Sequence, residues 1–158
     1  MSAKWGLRFF QASLIHGIIA AVWTGLWIIP GLNLTRIVAA GWPGTFHFVA
    51  YFAYLCIGFL SMAVFGAAYH LIPQIAKKPL YSEKLALTHF VLINLGVVAS
   101  WLLAIVGTTG GTLLMAKAKT EEIHIAIVGF SEPIAIFLTI GVLGVLVGIL
   151  NLILTSRK

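Results

Sequence analysis

The stretch FHFVAYFAYLCIGFLSMAVFGAAYHLI, residues 46–72, decides the fold, because its 27 consecutive residues include no Lys, Arg, Asp or Glu. A helix needs about 20 predominantly apolar residues to cross the hydrocarbon core of a bilayer. Pro73 follows directly, and a proline at that point is typical of a helix end. The segment therefore predicts one membrane-spanning helix.

Three further apolar segments accompany it, at residues 7–29, 85–106 and 123–154. The segment at 7–29 ends at Pro30-Gly31, and the segment at 85–106 runs into Gly107-Thr-Thr-Gly-Gly111. Both patterns are typical of helix ends. The start of the last segment stays open. The span begins either near Glu122 or further along the chain, with Pro133 in the first turn of its helix, where the missing N–H costs nothing.

The composition agrees with a membrane environment. Apolar residues make up 61% of the chain and charged residues 9%, whereas a soluble domain usually carries about a quarter charged residues. A backbone in lipid must satisfy its own hydrogen bonds, so we predict a single all-α domain of four transmembrane helices over residues 1–158. The first apolar run is too long for a cleavable signal, and we expect it to remain as a span.

The formal charge of +6 indicates topology rather than nucleic-acid binding, because the basic residues flank the predicted spans. The side with the N-terminus, the loop between spans 2 and 3 and the C-terminus has seven basic residues, and the other side has three. The positive-inside rule predicts that both termini are cytoplasmic. The seven are Lys4, Arg8, Lys77, Lys78, Lys84, Arg157 and Lys158, and the three are Arg36, Lys117 and Lys119.

Ionisable side chains in or beside the spans are functional candidates, because burying them in lipid is costly. Glu132 either caps the helix that follows it, where the helix dipole favours an acid, or handles protons. The single Cys56 can complete neither a disulfide nor a zinc site, and we expect it to pack against lipid or core. The five histidines are His16 near mid-membrane, His47 and His124 toward one side, and His70 and His89 toward the other.

Histidines at membrane depth can ligate haem iron inside a helix bundle. A copper or zinc site would need about three imidazoles that converge at one depth. The five histidines of this chain are spread over three depths. We therefore predict no copper site and consider haem iron as the metal. For a single histidine at the membrane interface, a structural role is the simpler interpretation.

Residues 64–73, VFGAAYHLIP, are followed by KPLYSEKL at 78–85 and by THFVL at 88–92. This run resembles the tenth and eleventh helices of the catalytic subunit of cbb3-type haem–copper oxidases, which are close to nitric oxide reductases. Span 4 keeps the Pro133, Gly141 and Gly148 spacing of that family's twelfth helix. The resemblance implies one four-helix arc of the oxidase fold in a prokaryotic cytoplasmic membrane.

The same resemblance shows which family residues are missing. The family's tenth helix carries two haem-ligating histidines at the positions of Tyr51 and Ala53 in this chain. The resemblance offers no counterpart of the three copper-ligating histidines, so we expect that the chain alone is not a complete oxygen or nitric oxide reductase. His70 and His89 match family positions that do not ligate iron, which favours structural roles for both.

His47 is the ligand candidate that the resemblance retains. The residues PGLN at 30–33 and GWPGTFH at 41–47 resemble the family's first-to-second helix passage, which ends in a ligand of the low-spin haem. His47 lies one helical turn, about 6 Å, beyond that family position. We predict His47 as an axial ligand of haem b, with His124 as the candidate for the second ligand and His16 as a weaker one.

Three functions follow as hypotheses. The first is a b-type cytochrome in respiratory electron transport, acting as a homo-oligomer or as an oxidoreductase subunit. The second is a haem-free accessory or scaffold subunit of a larger respiratory complex, and the third is a small proton or solute pathway that uses Glu132. Because the oxidase fold has approximate threefold symmetry, one arc suggests a trimer, and Gly141, Gly144 and Gly148 would suit close helix contact.

Overall fold

The computed structural model describes residues 3–157, and these form helices without any strand. Lys158, counted above among the basic residues, lies outside the described part of the chain. Four helical segments are long and apolar enough to cross a membrane, which confirms the predicted all-α class and its four spans. The segments are Lys4–Trp27, Thr45–Ala76, Glu83–Met115 and Ser131–Arg157.

The second and third segments are each built from two helices in succession. A π-helical segment at Leu55–Leu60 joins the two helices of span 2, and the two helices of span 3 meet at Val97. A 3-10 turn at Pro30–Leu32 follows span 1. The helices are α1 (Ala3–Trp27), α2 (Leu34–Ala39), α3 (Thr45–Tyr54), α4 (Ser61–Ala76), α5 (Glu83–Gly96), α6 (Val98–Met115), α7 (Thr120–Val128) and α8 (Ser131–Arg157).

The halves of the long spans pack on different neighbours. The most extensive helix pairs are α5 with α8, α3 with α6, and α1 with α4. The π-helical segment lies where the two halves of span 2 change their packing partners, and it also packs on α1. One half of the bundle is therefore made by the start of α1 with α4, α5 and α8, and the other half by the end of α1 with α2, α3, α6 and α7.

Charge divides the two ends of the bundle. Trp5 shares a buried cluster with Tyr69 and Leu152, so the start of α1, the end of α4 and the end of α8 lie together. This end, called the basic end, has six described basic residues and one carboxylate, whereas the neutral end has three of each. The basic end carries Lys4, Arg8, Lys77, Lys78, Lys84, Arg157 and Glu83, and the neutral end carries Arg36, Lys117, Lys119, Glu121, Glu122 and Glu132.

The third span is longer than predicted. The glycine-rich run at 107–111 does not end it, because α6 continues to Met115. A Cβ atom on Gly111 would lie 2.9 Å from the Cα atom of Gly44. The glycines therefore serve close packing of α6 against the segment before α3, and they do not mark a chain reversal.

The fourth span is shorter at its start than the predicted 123–154 segment. Helix α7 ends at Val128, and α8 begins at Ser131 after a separate turn. Pro133 lies in the first turn of α8, which is the second of the two starts that the sequence left open. The second span continues past Pro73 to Ala76, with the proline inside its last turn.

The glycines of α8 are used within the chain. Gly141, Gly144 and Gly148 are buried, and a Cβ atom on Gly144 would lie 2.9 Å from the backbone nitrogen of Ile93 on α5. A Cβ atom on Gly141 would lie 3.1 Å from the Cα atom of Gly96. The close helix contact predicted for these residues therefore joins α8 to α5.

Candidate functional site

Three side chains of α1 organise the interior of the bundle. Phe9, His16 and Trp23 are seven residues apart, close to two helical turns, so they share one face at intervals of about 10.5 Å. Phe9 contacts one group of interior side chains, and His16 and Trp23 each belong to another; every group contains one histidine. We call these groups the basic-end layer (His89, Tyr69, Asn151), the middle layer (His16, Tyr54, Asn94) and the neutral-end layer (His47, Trp23, Thr108).

His47, the predicted haem ligand, is 5% exposed and has a partner on each ring nitrogen. The indole N–H of Trp23 donates to Nε2 of His47 at 3.0 Å. Nδ1 lies 2.8 Å from Oγ1 of Thr108, and that hydroxyl donates to the carbonyl of Ala104 at 2.8 Å. Since the Thr108 proton is used there, Nδ1 of His47 is the donor, and every polar atom of a neutral imidazole is satisfied.

The crossing of α3 and α6 puts His47 beside Thr108. Gly107 precedes Thr108, and a Cβ atom on Gly107 would collide with the backbone nitrogen of His47. Any larger residue at position 107 would therefore separate the two helices. The close approach of these backbones fixes the hydrogen bond between the imidazole and the threonine hydroxyl.

A cavity of about 280 Å³ borders His47, with apolar walls that include Leu26, Leu34 and Trp101. Pockets for drug-sized ligands usually measure about 300–1,000 Å³, so this space is small for a haem. The only free lone pair of the neutral ring is on Nε2, and it accepts the indole N–H of Trp23. As folded, iron ligation by His47 would require Trp23 to release Nε2.

The other predicted site residues at the neutral end do not converge on His47. His124 is exposed on α7, whose buried face is formed by Ile123 and Ile127. Glu132 is exposed in the first turn of α8, where the helix dipole favours an acid. Within residues 3–157, no three His, Cys, Asp or Glu side chains come together as a metal site would require.

His16, the weaker ligand candidate, bridges three spans in the middle layer. Its Nε2 lies 3.2 Å from Oδ1 of Asn94 on α5, and its Nδ1 lies 2.8 Å from the hydroxyl of Tyr54 on α3. An amide oxygen only accepts, so Nε2 carries the proton and Tyr54 donates to Nδ1. The π-helical segment brings Gly58 against the same ring.

His89 is fully buried in the basic-end layer. The Tyr69 hydroxyl lies 3.1 Å from its Nδ1, and the amide of Asn151 donates to the same hydroxyl at 3.5 Å. Among the described residues, Nε2 of His89 has no hydrogen-bond partner. The ring centres of Phe9 and Phe65 lie 4.8 Å and 4.3 Å from that of His89.

Asn151 extends the basic-end layer to the loop before α5. Its Oδ1 accepts from the backbone N–H of Ser82 at 3.1 Å, and its Nδ2 donates to the carbonyl of Ser82 at 2.9 Å. Thr155, one turn later, accepts from the backbone N–H of Tyr81 at 3.0 Å. Two buried polar residues of α8 thus hold the start of α5.

Tyr51 and Ala53, which stand at the family's ligand positions, are only partly buried. The Tyr51 hydroxyl lies 2.7 Å from Oγ1 of Thr24, in an exposed pair on the bundle surface. His70 is exposed near the end of α4 and bonds to Gln74 at 3.1 Å. None of these residues belongs to the three interior layers.

The partners of the histidines were not among the residues that the sequence singled out. The seven-residue spacing of Phe9, His16 and Trp23 was the available signal, since it put a histidine and an indole on one helix face. No protein-family model, curated protein or solved structure matches this chain. The resemblance to oxidase helices therefore stays a prediction that rests on sequence motifs in residues 30–47, 64–96 and 133–148.

Proposed function

We propose that this chain is a haem-free scaffold subunit of a membrane respiratory complex, in which the interior histidines hold the spans together. The observation that carries the proposal is the closed hydrogen bonding of His47, which is bonded to Trp23 on α1 and to Thr108 on α6. An imidazole with both nitrogens used in this way contributes to packing. Hydrogen bonds between membrane helices contribute about 0.6–2 kcal/mol each.

The other two layers support the same role. The middle layer joins α1, α3 and α5 through His16, and the basic-end layer joins α4, α5 and α8 through Tyr69. Each of the three layers thus links three spans at its own depth. A bundle held together at three depths by buried polar contacts is suited to a rigid packing unit.

A b-type cytochrome, predicted first from the sequence, has less support from this geometry. Iron ligation by His47 would require Trp23 to release Nε2, and a second ligand would have to come from the exposed His124 or from the fully bonded His16. A proton or solute pathway has less support as well. The layers are separated by about 10.5 Å along α1, and Glu132 is exposed at the neutral end.

The membrane orientation follows from charge. The described residues give the basic end five more positive than negative side chains, and the neutral end has equal numbers. We infer that the basic end, with both termini, faces the cytoplasm, and that the membrane is the cytoplasmic membrane of a prokaryote, as the oxidase resemblance implies.

The partner also follows from the resemblance. An arc of the oxidase fold normally packs beside other arcs, so we infer either a trimer of this chain or association with a larger respiratory subunit. The glycine face of α8 is already used against α5, so copies or partners would meet other surfaces of the bundle. Native mass measurement in mild detergent tests this part, and a stable monomer would contradict the trimer.

A visible spectrum tests the haem-free role. The protein is expressed with a haem precursor, purified in mild detergent and measured as a reduced-minus-oxidised difference spectrum. We expect no haem bands in the native protein. A low-spin bis-histidine spectrum that is lost in His47→Ala but kept in His70→Ala, which changes an exposed histidine outside the layers, would overturn the proposal in favour of the cytochrome.

A further inference from the structure

An apolar groove of about 410 Å³ lies between the ends of α4 and α8 at the basic end. Its walls include Ile75, which is 79% exposed, and Ile153, which is 42% exposed. Apolar side chains of such exposure at the end of a span face lipid. The groove is lined by Ile72, Ile75, Ala76, Ile149, Leu152, Ile153 and Ser156.

Cationic residues follow both walls of the groove. Helix α4 ends at Ala76, and Lys77 comes next in the left-handed conformation, with φ of 53°. Its N–H donates to the carbonyl of Gln74, and that of Lys78 donates to the carbonyl of Pro73, so both lysines are fixed to the end of the helix. On the other wall, Arg157 directly follows Ser156.

The basic end contains little negative charge to neutralise these cations. Glu83 is its only carboxylate among the described residues, and the other three carboxylates of the sequence lie at the neutral end. An apolar groove at membrane depth with cations at its mouth is complementary to a lipid that has an anionic headgroup. A free phosphate would use the cations and leave the groove unfilled, and a zwitterionic lipid would use the groove and gain little from the cations.

We propose that an anionic phospholipid binds this groove, with an acyl chain between α4 and α8 and its phosphate at Lys77, Lys78 and Arg157. This inference is independent of the scaffold role, because it concerns the lipid-facing surface and none of the three layers. It also suits the basic end as the cytoplasmic end, since anionic lipids are enriched in that leaflet.

Native mass spectrometry of the full chain tests the proposal. The delipidated protein is titrated with phosphatidylglycerol or with phosphatidylcholine that has the same acyl chains. We expect one tightly retained phosphatidylglycerol per chain and weaker retention of phosphatidylcholine. Since each cation near an anionic lipid contributes roughly fivefold, the double variant Lys77→Gln/Lys78→Gln should weaken phosphatidylglycerol binding by roughly 25-fold.

The double variant Lys117→Gln/Lys119→Gln is the matched control, because it removes the same charge from the neutral end. Equal retention of the two lipids, or an equal loss in the control variant, overturns the proposal. Ala76→Phe tests the groove itself, because the larger side chain on one wall fills part of the groove while every cation is kept. If Ala76→Phe binds phosphatidylglycerol as tightly as the native chain, the lipid only adsorbs to the charged surface and the groove assignment is wrong.

Discussion

The indole N–H of Trp23 donates to Nε2 of His47 at 3.0 Å, and these side chains are 4% and 5% exposed. The bond joins spans 1 and 2 at the position where the sequence suggested an iron ligand. Because Nδ1 of the imidazole is committed to Thr108, removal of the indole N–H leaves an acceptor without another described partner. The pair therefore gives a direct test of a structural role for His47.

We expect Trp23→Phe to destabilise the protein by about 1–3 kcal/mol, because it leaves the buried Nε2 unsatisfied. The double variant Trp23→Phe/His47→Leu should cost less than the sum of the single changes, since both partners become apolar. Unfolding measurements in detergent on the four proteins of this cycle give the coupling. Trp42→Phe, at a side chain that is 56% exposed, is the control, and strictly additive effects of the pair would contradict a hydrogen bond.

The spans could be predicted from the sequence because hydropathy and length alone determine them. The sequence left two possible starts for α8 and could not decide between them, and it did not predict the continuation of α6 through Gly107 and Gly111. A glycine run indicates a helix end only when no other backbone packs on it. Here Gly111 lies against Gly44, a contact made by residues far apart in the sequence.

The histidines could be identified as candidates from the sequence, but their partners could not. His47 is bonded to residues of spans 1 and 3, and its neutral, fully bonded state depends on both at once. Residue type and depth do not distinguish such an imidazole from an open ligand. Only the tertiary packing of α1 and α6 on α3 makes that distinction.

Asn151→Leu should release the loop before α5. The substitution removes two hydrogen bonds to the partly buried backbone of Ser82, and the loss should cost less than the roughly 1–3 kcal/mol of each fully buried group left unsatisfied. Hydrogen exchange measured by mass spectrometry should become faster in peptides that cover residues 79–84. Thr139→Val changes an exposed residue of the same helix, bonded only to the carbonyl of Ala135, and should leave exchange in those peptides unchanged.

Gly148→Ala and Gly25→Ala should have opposite effects on stability. A Cβ atom on Gly148 would collide with the imidazole of His89, whereas a Cβ atom on Gly25 would meet nothing within 4 Å. Overpacking of a tight helix contact costs about 1–3 kcal/mol, and alanine gains up to about 1 kcal/mol over glycine in a helix. Unfolding midpoints in detergent compare the two variants, and similar shifts would show that α8 does not pack so closely on α5.

The orientation of the bundle can be tested at two exposed residues that carry no charge, Thr120 at the neutral end and Pro79 at the basic end. In a Cys56→Ser background, Thr120→Cys and Pro79→Cys each add one thiol without altering the charge that sets the topology. The excess of five positive side chains at the basic end should hold that end in the cytoplasm. A membrane-impermeant maleimide should therefore label Thr120→Cys in spheroplasts, which are cells freed of their outer membrane and wall, and should label Pro79→Cys only after lysis. Labelling of Pro79→Cys in intact spheroplasts would place the basic end outside and contradict the inferred topology.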